Sequence, residues 1–321
     1  MISRLIRGMV VGLFLTVQTF AQTGPAASAD EKHKIVVVTG ARFSYKLVQQ
    51  WIDEFNKVYP DIQVIIESRG SSDPSNYDIL AEVYEHDEAV KKERLYLYIA
   101  RYAILPVATS SSEFARTYAT KGINDNVLKQ IFFHNIFADK DDVEKIKAPF
   151  TAYTRYQKAG APKVFAQHYG FDQKDIVGKS IAGSDEHLVK ALLRDSSGVT
   201  YLPLPLVFDP EKGKQVEGLT VIPVDLDGNG KVKDDEVAAF ATPEALLARL
   251  EGRGKDKVNV PTGYLHLSVN KKTTSAEAVA FLKWVAENGE SYLAAFGFLK
   301  PRPEESGVQK FVEFASRNGF Q

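Results

Sequence analysis

The chain has 321 residues, 44% of them hydrophobic, and 40 Lys and Arg against 41 Asp and Glu, a formal net charge of -1. That is a globular composition large enough for more than one hydrophobic core, and its charge balance excludes the basic excess that nucleic-acid binding needs. There is no cysteine, which excludes disulfides, thiolate metal sites, cysteine nucleophiles and a lipidated N-terminal cysteine.

The first 29 residues read differently from the rest. Arg4 and Arg7 precede an apolar run from Gly8 to Phe20, and Ala27-Ser28-Ala29 offers a small-residue cleavage site, with Thr19-Phe20-Ala21 as a second. This is the pattern of a secretory signal cleaved near Ala29 or Ala21, so a periplasmic location is expected and residues 1–29 are set aside from the fold. Without Arg4 and Arg7, 38 basic and 41 acidic residues remain, a net charge of -3. No later run reaches 18 apolar residues, the length a spanning helix requires.

Ile35 to Val38 is a wholly apolar run suited to a buried parallel strand. Thr39-Gly40-Ala41 makes a tight turn, and from Ser44 the spacing becomes helical, with Leu47, Val48, Trp51, Ile52, Phe55 and Val58 on one face. Pro60 ends that helix, a strand follows over 62–68, and Arg69-Gly70-Ser71-Ser72 closes a βαβ unit. Both loops then lie at the carboxyl ends of their strands, where open α/β sheets bind ligands.

A buried strand is expected over 102–110, and a helix over 124–133 capped by Asn124 or Asp125. A short helix over 161–170 ends at a glycine, and 185–204 reads as helix, Gly turn and strand. Thr242 and Pro243 start another helix. The stretch 264–270 alternates like a strand, and 275–301 reads as a long helix, a Gly break and a second helix. There are no internal repeats, and the class is α/β.

Three stretches together resemble the phosphate-binding receptors of ABC importers, within the two-lobed periplasmic binding proteins. In "TGARFSYKLVQQW", Phe43 and Trp51 keep the family's spacing of eight between a Gly-Ala-x-Phe turn and a Trp. In "TRYQKAGAP", Arg155 and Gly160 fit the family's Arg and following Ser-Gly-Thr turn before a helix. The third, "AVAFLKWVAENGESYLAAFGFLKP", is similar to the family's closing segment. The resemblance implies two mostly parallel sheets covered by helices and joined by a hinge, with lobe 1 over residues 33–107 and 240–321 and lobe 2 over 108–239.

It also implies an oxyanion, phosphate first, held between the lobes and delivered to a membrane permease by a monomeric receptor. The residues suit an anion. Turns leading into helices expose unpaired N–H groups and a positive dipole end. Two such turns are Ala41–Ser44, which follows Thr39 and holds Arg42 and Phe43, and Gly160–Pro162, which holds Ala161. Ser71 and Ser72 add hydroxyls, and Arg155 adds a bidentate cation. Three family hydroxyls are replaced by Arg42, Ala159 and Ala161. Each is worth roughly 0.5–1.5 kcal/mol. An Asp that would accept the proton of hydrogen phosphate has two candidates, Asp73 and Asp78.

"VDLDGNGKVKDDE" (224–236) fits a calcium loop. Asp225, Asp227 and Asn229 take positions 1, 3 and 5, Gly230 the bend, Lys231 a backbone carbonyl, and Glu236 the bidentate position 12. A chance match in a chain this long is rare, on the order of one in a thousand. Five acids face Lys231 and Lys233, a charge excess that a cation relieves. The preceding "GLTVIPV" is strand-like and the loop is solitary, so Ca²⁺ is expected as a rigid clip. No catalytic residues are expected: the six His are scattered and no HExxH or GxSxG occurs. The alternatives are a non-transport binding or adhesion module of the same fold that has lost phosphate binding, and an exported metallohydrolase.

Overall fold

A computed structural model describes residues 35–69, 73–84, 88–133, 145–156, 160–209, 212–252, 258–302 and 306–320. The signal-like segment, Ser71, Ser72 and Ala159 lie outside them. The strands are β1 (Ile35–Gly40), β2 (Gln63–Ile66), β3 (Ile79–Glu82), β4 (Arg94–Thr109), β5 (Thr151–Arg155), β6 (Lys179–Ile181), β7 (Gly198–Pro203), β8 (Phe208–Asp209), β9 (Lys214–Gln215), β10 (Leu219–Val221) and β11 (Thr262–Asn270). The α-helices are α1 (Tyr45–Val58), α2 (Glu88–Glu93), α3 (Glu113–Tyr118), α4 (Asp125–Phe132), α5 (Gly160–His168), α6 (Asp185–Leu193), α7 (Asp234–Ala239), α8 (Pro243–Glu251), α9 (Ala276–Asn288) and α10 (Val308–Arg317).

Eight strands run in the order β2-β1-β3-β11-β4-β7-β5-β6, and β10 also pairs with β4. The sixteen-residue β4 serves both halves. It pairs antiparallel with β11 up to Ala103, then with β7 from Ile104 and with β10 up to Thr109. Parallel pairs lie on either side, β1 with β2 and β3, and β5 with β6 and β7. The fold is α/β with two lobes, but each half of the sheet is mixed rather than mostly parallel as expected, because β11 and β4 in lobe 1 and β4, β7 and β10 in lobe 2 pair antiparallel. The parallel strands of each lobe end at the divide between them.

The α1 helix shows why local pattern and packing agree. Leu47, Val48, Trp51, Ile52 and Phe55 are buried against lobe 1, as their spacing dictates. Val58, expected on that face, is the last residue of the helix and is 59% exposed. Trp51 Nε1 donates to the Gly289 carbonyl at 3.1 Å, so the first and third family-like stretches meet in one core. Phe43 packs edge-on to Tyr102 and stacks on Phe298.

The caps follow the sequence rules. Asn124 accepts from the Val127 N–H, Thr242 from Ala245 and Ser275 from Ala278. Two features depart from the expected pattern. The helix expected after Gly289 is a pair of 3-10 turns, Gly289–Tyr292 and Ala294–Phe296, ended by Gly297 in the left-handed region. The C-terminal stretch forms α10, whose Phe311 and Ala315 are buried.

Candidate functional site

The parallel strands of both lobes deliver their carboxyl ends to one cleft of about 610 Å³. From lobe 1 come the end of β1 with its following turn, Thr39 to Phe43, and the end of β3 with Glu82 and Tyr84. From lobe 2 come Arg155 at the end of β5, Gly160 and Ala161 at the head of α5, and Asp185 and His187 in the first turn of α6. Open α/β sheets bind ligands at this kind of crevice. Seven residues expected from the sequence therefore share one cavity: Thr39, Ala41, Arg42, Phe43, Arg155, Gly160 and Ala161.

Their hydrogen bonds limit what each offers. The Thr39 hydroxyl donates to the Glu67 carbonyl at 2.9 Å, and the Ala41 N–H to the Ala81 carbonyl at 2.7 Å. Phe43 is a buried core ring that reaches the cleft with an edge. The open donors of this turn are therefore the next amides, those of Arg42 and Phe43, at the head of a helix where N–H groups lack intrahelical partners. Gly40 makes the turn possible: its φ is +140°, and a Cβ there would lie 1.9 Å from the Ala81 carbonyl oxygen. Gly160 has a different reason. A Cβ on it would lie 2.4 Å from the Val83 carbonyl oxygen of the other lobe. The head of α5 is thus seated directly on lobe 1.

Arg155 is held within lobe 2. Its Nη1 lies 3.0 Å from Asp185 Oδ1, and its Nη2 donates to the Gly183 carbonyl at 2.6 Å. Both side chains are largely buried, 13% and 14% exposed. Burial pushes the Asp185 carboxyl above the usual carboxylate range, outweighing the Arg155 charge and hydrogen bond that pull it down. Arg155 Nε is buried with no hydrogen-bond partner among the described residues. Arg42 reaches across the cleft, with its Nη1 4.0 Å from Glu186 Oε2. Both groups are exposed, so this pair adds little by itself.

Glu82 and Asp185 had no signal in the sequence. Glu82 is 6% exposed. Burial, then its charge and hydrogen bond, push the Tyr84 hydroxyl up to about 12. The expected acceptors stand elsewhere: Asp78 accepts the Val37 N–H, and Asp73 caps the turn at Ser75. Neither lines the cleft. Glu82 and Asp185 thus line the cleft together with Arg42 and Arg155, a mixed lining that suits a protonated oxyanion better than a fully ionised one.

In the acidic loop, Asp225, Asp227 and Glu236 bring carboxylate oxygens within 4.8 Å of one another, with no His among the three. Asp225 is 2% exposed and Glu236 is fully buried. Gly228 and Gly230 take positive φ, 72° and 91°, which makes the bends. Glu236 Oε1 accepts the Leu226 and Asp227 N–H groups, and Asp225 Oδ2 accepts that of Gly230. Lys233 Nζ lies 2.6 Å from Asp227 Oδ2, and this contact holds the Asp227 carboxyl below its usual range. Two buried carboxylates and a third partly covered one against one exposed ammonium fit a divalent cation. The flanks are β10 before the loop and α7, which carries Glu236, after it.

The loop is wired to its surroundings. The Asn124 side chain donates to the Gly230 carbonyl, and the Asn259 side chain to both Asp125 and the Asp225 carbonyl. The Asn259 N–H donates to the Leu226 carbonyl. Asn259 lies just before β11, on the chain returning to lobe 1.

The architecture is the two-lobed periplasmic-binding fold. A scan against protein-family models finds no match, and a search of curated proteins finds none. Solved structures do match. One is described as a phosphate ABC transporter substrate-binding protein with bound phosphate, from Clostridium perfringens. It is 16% identical with a TM-score of 0.61, covering 84% of this chain and 100% of that one. An ABC-type phosphate transport receptor from Vibrio cholerae is 10% identical with a TM-score of 0.50, covering 83% and 100%. At these identities the likeness establishes the fold. Among the described residues no helix is long and apolar enough to cross a membrane.

Proposed function

We propose that the protein is an exported solute-binding receptor that closes its lobes on an oxyanion, phosphate first, and passes it to an ABC permease. The observation that carries this reading is the cleft itself. It faces Arg42 and the amides at the head of one helix in lobe 1 with Arg155 and the head of α5 in lobe 2. Closure about the segments joining the lobes is the expected mechanism. Ca²⁺ at Asp225, Asp227, Asn229, Lys231 and Glu236 would brace the chain near Asn259, with Lys231 offering its carbonyl.

A thermal-shift series of the calcium-loaded protein with phosphate, sulfate and molybdate tests the reading. Phosphate is expected to stabilise the wild type. Arg42→Ala, and Arg155→Lys, which cannot reproduce a planar fork, are expected to weaken the response. No response to any anion would overturn it. The engagement of Thr39 and Ala41 within lobe 1 supports a second reading, a binding module of this fold that no longer serves transport. Phosphate binding without permease stimulation would favour it.

A further inference from the structure

His187 lines the main cleft from the first turn of α6, beside Gly183, Ser184 and Asp185. Its Nδ1 accepts the Ser184 N–H at 3.2 Å, the return bond of a capping box, and lies 3.0 Å from the Ser184 hydroxyl. A backbone N–H can only donate, so Nδ1 holds the lone pair and the hydrogen of the ring sits on Nε2. Gly183 makes room for the ring: its φ is +105°, and a Cβ on it would lie 2.8 Å from Nδ1. The Gly183 carbonyl also accepts Arg155 Nη2, so one residue seats both the guanidinium and the imidazole. From lobe 1, Arg42 comes within 4.0 Å of Glu186, whose Oε2 accepts the Ser184 hydroxyl at 2.7 Å. The imidazole is thus tied to the anchor of Arg155 on one side and, through Ser184 and Glu186, to the Arg42 that crosses the cleft.

Donors are what lobe 2 is short of. The hydroxyls that the sequence resemblance leads one to expect there are replaced by Ala159 and Ala161. Both Nη atoms of Arg155 are already bonded within the lobe. In lobe 1 the Thr39 hydroxyl and the Ala41 amide are engaged as well. A tetrahedral oxyanion taken out of water needs a donor for each oxygen that carries no proton, since an unmet acceptor costs its full desolvation. Nε2 is the distal ring nitrogen. Holding Nδ1 to the Ser184 backbone therefore turns the N–H away from the helix end it caps and leaves it for the cleft.

We infer that His187 is a ligand of the bound oxyanion, donating from Nε2 to an oxygen without a proton, and that Ser184 fixes which ring nitrogen does so. This rests on the oxyanion reading above and adds a residue to it: lobe 2 binds with the first turn of α6 as well as with Arg155 and the head of α5. A hydroxyl both donates and accepts, whereas this N–H only donates. Sulfate, with no proton on any oxygen, and hydrogen phosphate both offer it an acceptor.

The test is calorimetric titration of the full protein with phosphate and with sulfate, in the wild type, His187→Asn and His187→Gln. Asn is too short to reach the place of Nε2, and both affinities are expected to fall about ten-fold, the scale of one hydrogen bond to a charged group. Gln keeps an amide donor at that reach and suits the same capping box, so its affinities are expected to stay within about three-fold of the wild type. A residue that only caps α6 would alter the melting temperature without anion and leave both affinities alone. A second measurement uses the wild type itself: with ¹⁵N-labelled histidine, the His187 Nε2 resonance is expected to shift on adding sulfate, as its N–H takes a charged acceptor. Unchanged affinity in His187→Asn, a loss in His187→Gln as large as in His187→Asn, or a His187 resonance that stays still while sulfate binds overturns the inference and leaves the oxyanion reading standing. Binding of neither anion by the wild type overturns both.

Discussion

Arg155 and Asp185 form a 3.0 Å ion pair inside the cleft, so the strongest anion-binding candidate is already partly neutralised by its own lobe. The pair makes the site's charge depend on pH. Burial raises the Asp185 carboxyl, so it takes up a proton at a higher pH than an ordinary Asp. Below that titration Asp185 is neutral and Arg155 faces a ligand with its full charge. Above it, the new negative charge opposes an anion. Sulfate affinity, probed because sulfate stays a dianion throughout this range, is therefore expected to fall as pH rises through the Asp185 titration. Asp185→Asn should flatten that profile and tighten sulfate at pH 7 by about ten-fold, the scale of one charge-assisted hydrogen bond. The same profile in both proteins would separate Asp185 from the site.

Gly160→Ala tests the lobe contact. In an ordinary helix the change stabilises by about 0.5–1 kcal/mol. Here the new methyl meets the Val83 carbonyl, so the closed arrangement is disfavoured while each lobe keeps its core. Expected are a thermal midpoint near that of the wild type, a larger radius of gyration by small-angle scattering, and anion affinity lowered at least about ten-fold, in line with population-shift arithmetic.

Trp51→Phe removes a buried N–H and leaves the Gly289 carbonyl without it. The expected loss is about 1–3 kcal/mol in chemical denaturation, the cost of a stranded buried acceptor. The effect should appear as stability alone, with anion affinity unchanged, because this bond lies in the lobe 1 core.

Calcium at about 10 mM, with a dissociation constant of about 10⁻⁴–10⁻³ M, is expected to stabilise the fold by roughly 1.4–2.7 kcal/mol. Glu236→Gln should abolish the calcium-dependent rise in melting temperature while leaving the chelated protein folded. Lys233→Ala removes the ammonium that sits on Asp227 and should tighten calcium. Equal melting temperatures with calcium and with chelator would remove the cation from the account.

Asp195 sets an acid limit on lobe 2. Its carboxylate accepts the Ser197 N–H at 2.8 Å, the Ser197 hydroxyl at 2.7 Å and the Tyr153 hydroxyl at 2.8 Å. These bonds, the Ser197 N–H first, lower it to about 2. A depressed carboxyl contributes stability that is full above its unfolded value near 3.9 and fades as pH falls toward the folded one. Denaturation midpoints should therefore drop between about pH 4 and pH 2 in the wild type, and less so in Asp195→Asn.

Much of this was legible in the chain. Apolar runs and helical spacing define β1 and α1, and Asn124, Thr242 and Ser275 announce their helices, because capping and amphipathicity are local. The Phe43–Trp51 spacing and the Arg155–Gly160 stretch pointed to the cleft wall. Glu82, Asp185 and His266 gave no such signal. Each looks like an ordinary strand or helix-start residue, and what it faces is set by elements far along the chain. The same holds for β4, whose change of partner at Ala103 and Ile104 is a tertiary event.

The sequence by itself determined the α/β class, the turns at Thr39 to Phe43 and at Gly160, and the spacing of the acids in the loop, since all three depend on neighbours within about a dozen residues. Tertiary structure alone decided which donors stay open, that Arg155 is paired, that Gly160 touches Val83, and that a buried imidazole stands beside the Glu82 carboxylate. Those facts come from long-range packing. It engages the Thr39 hydroxyl and the Ala41 amide inside lobe 1, buries Asp185 beside Arg155, and places His266 among tyrosines, 3.8 Å from the Glu82 carboxylate.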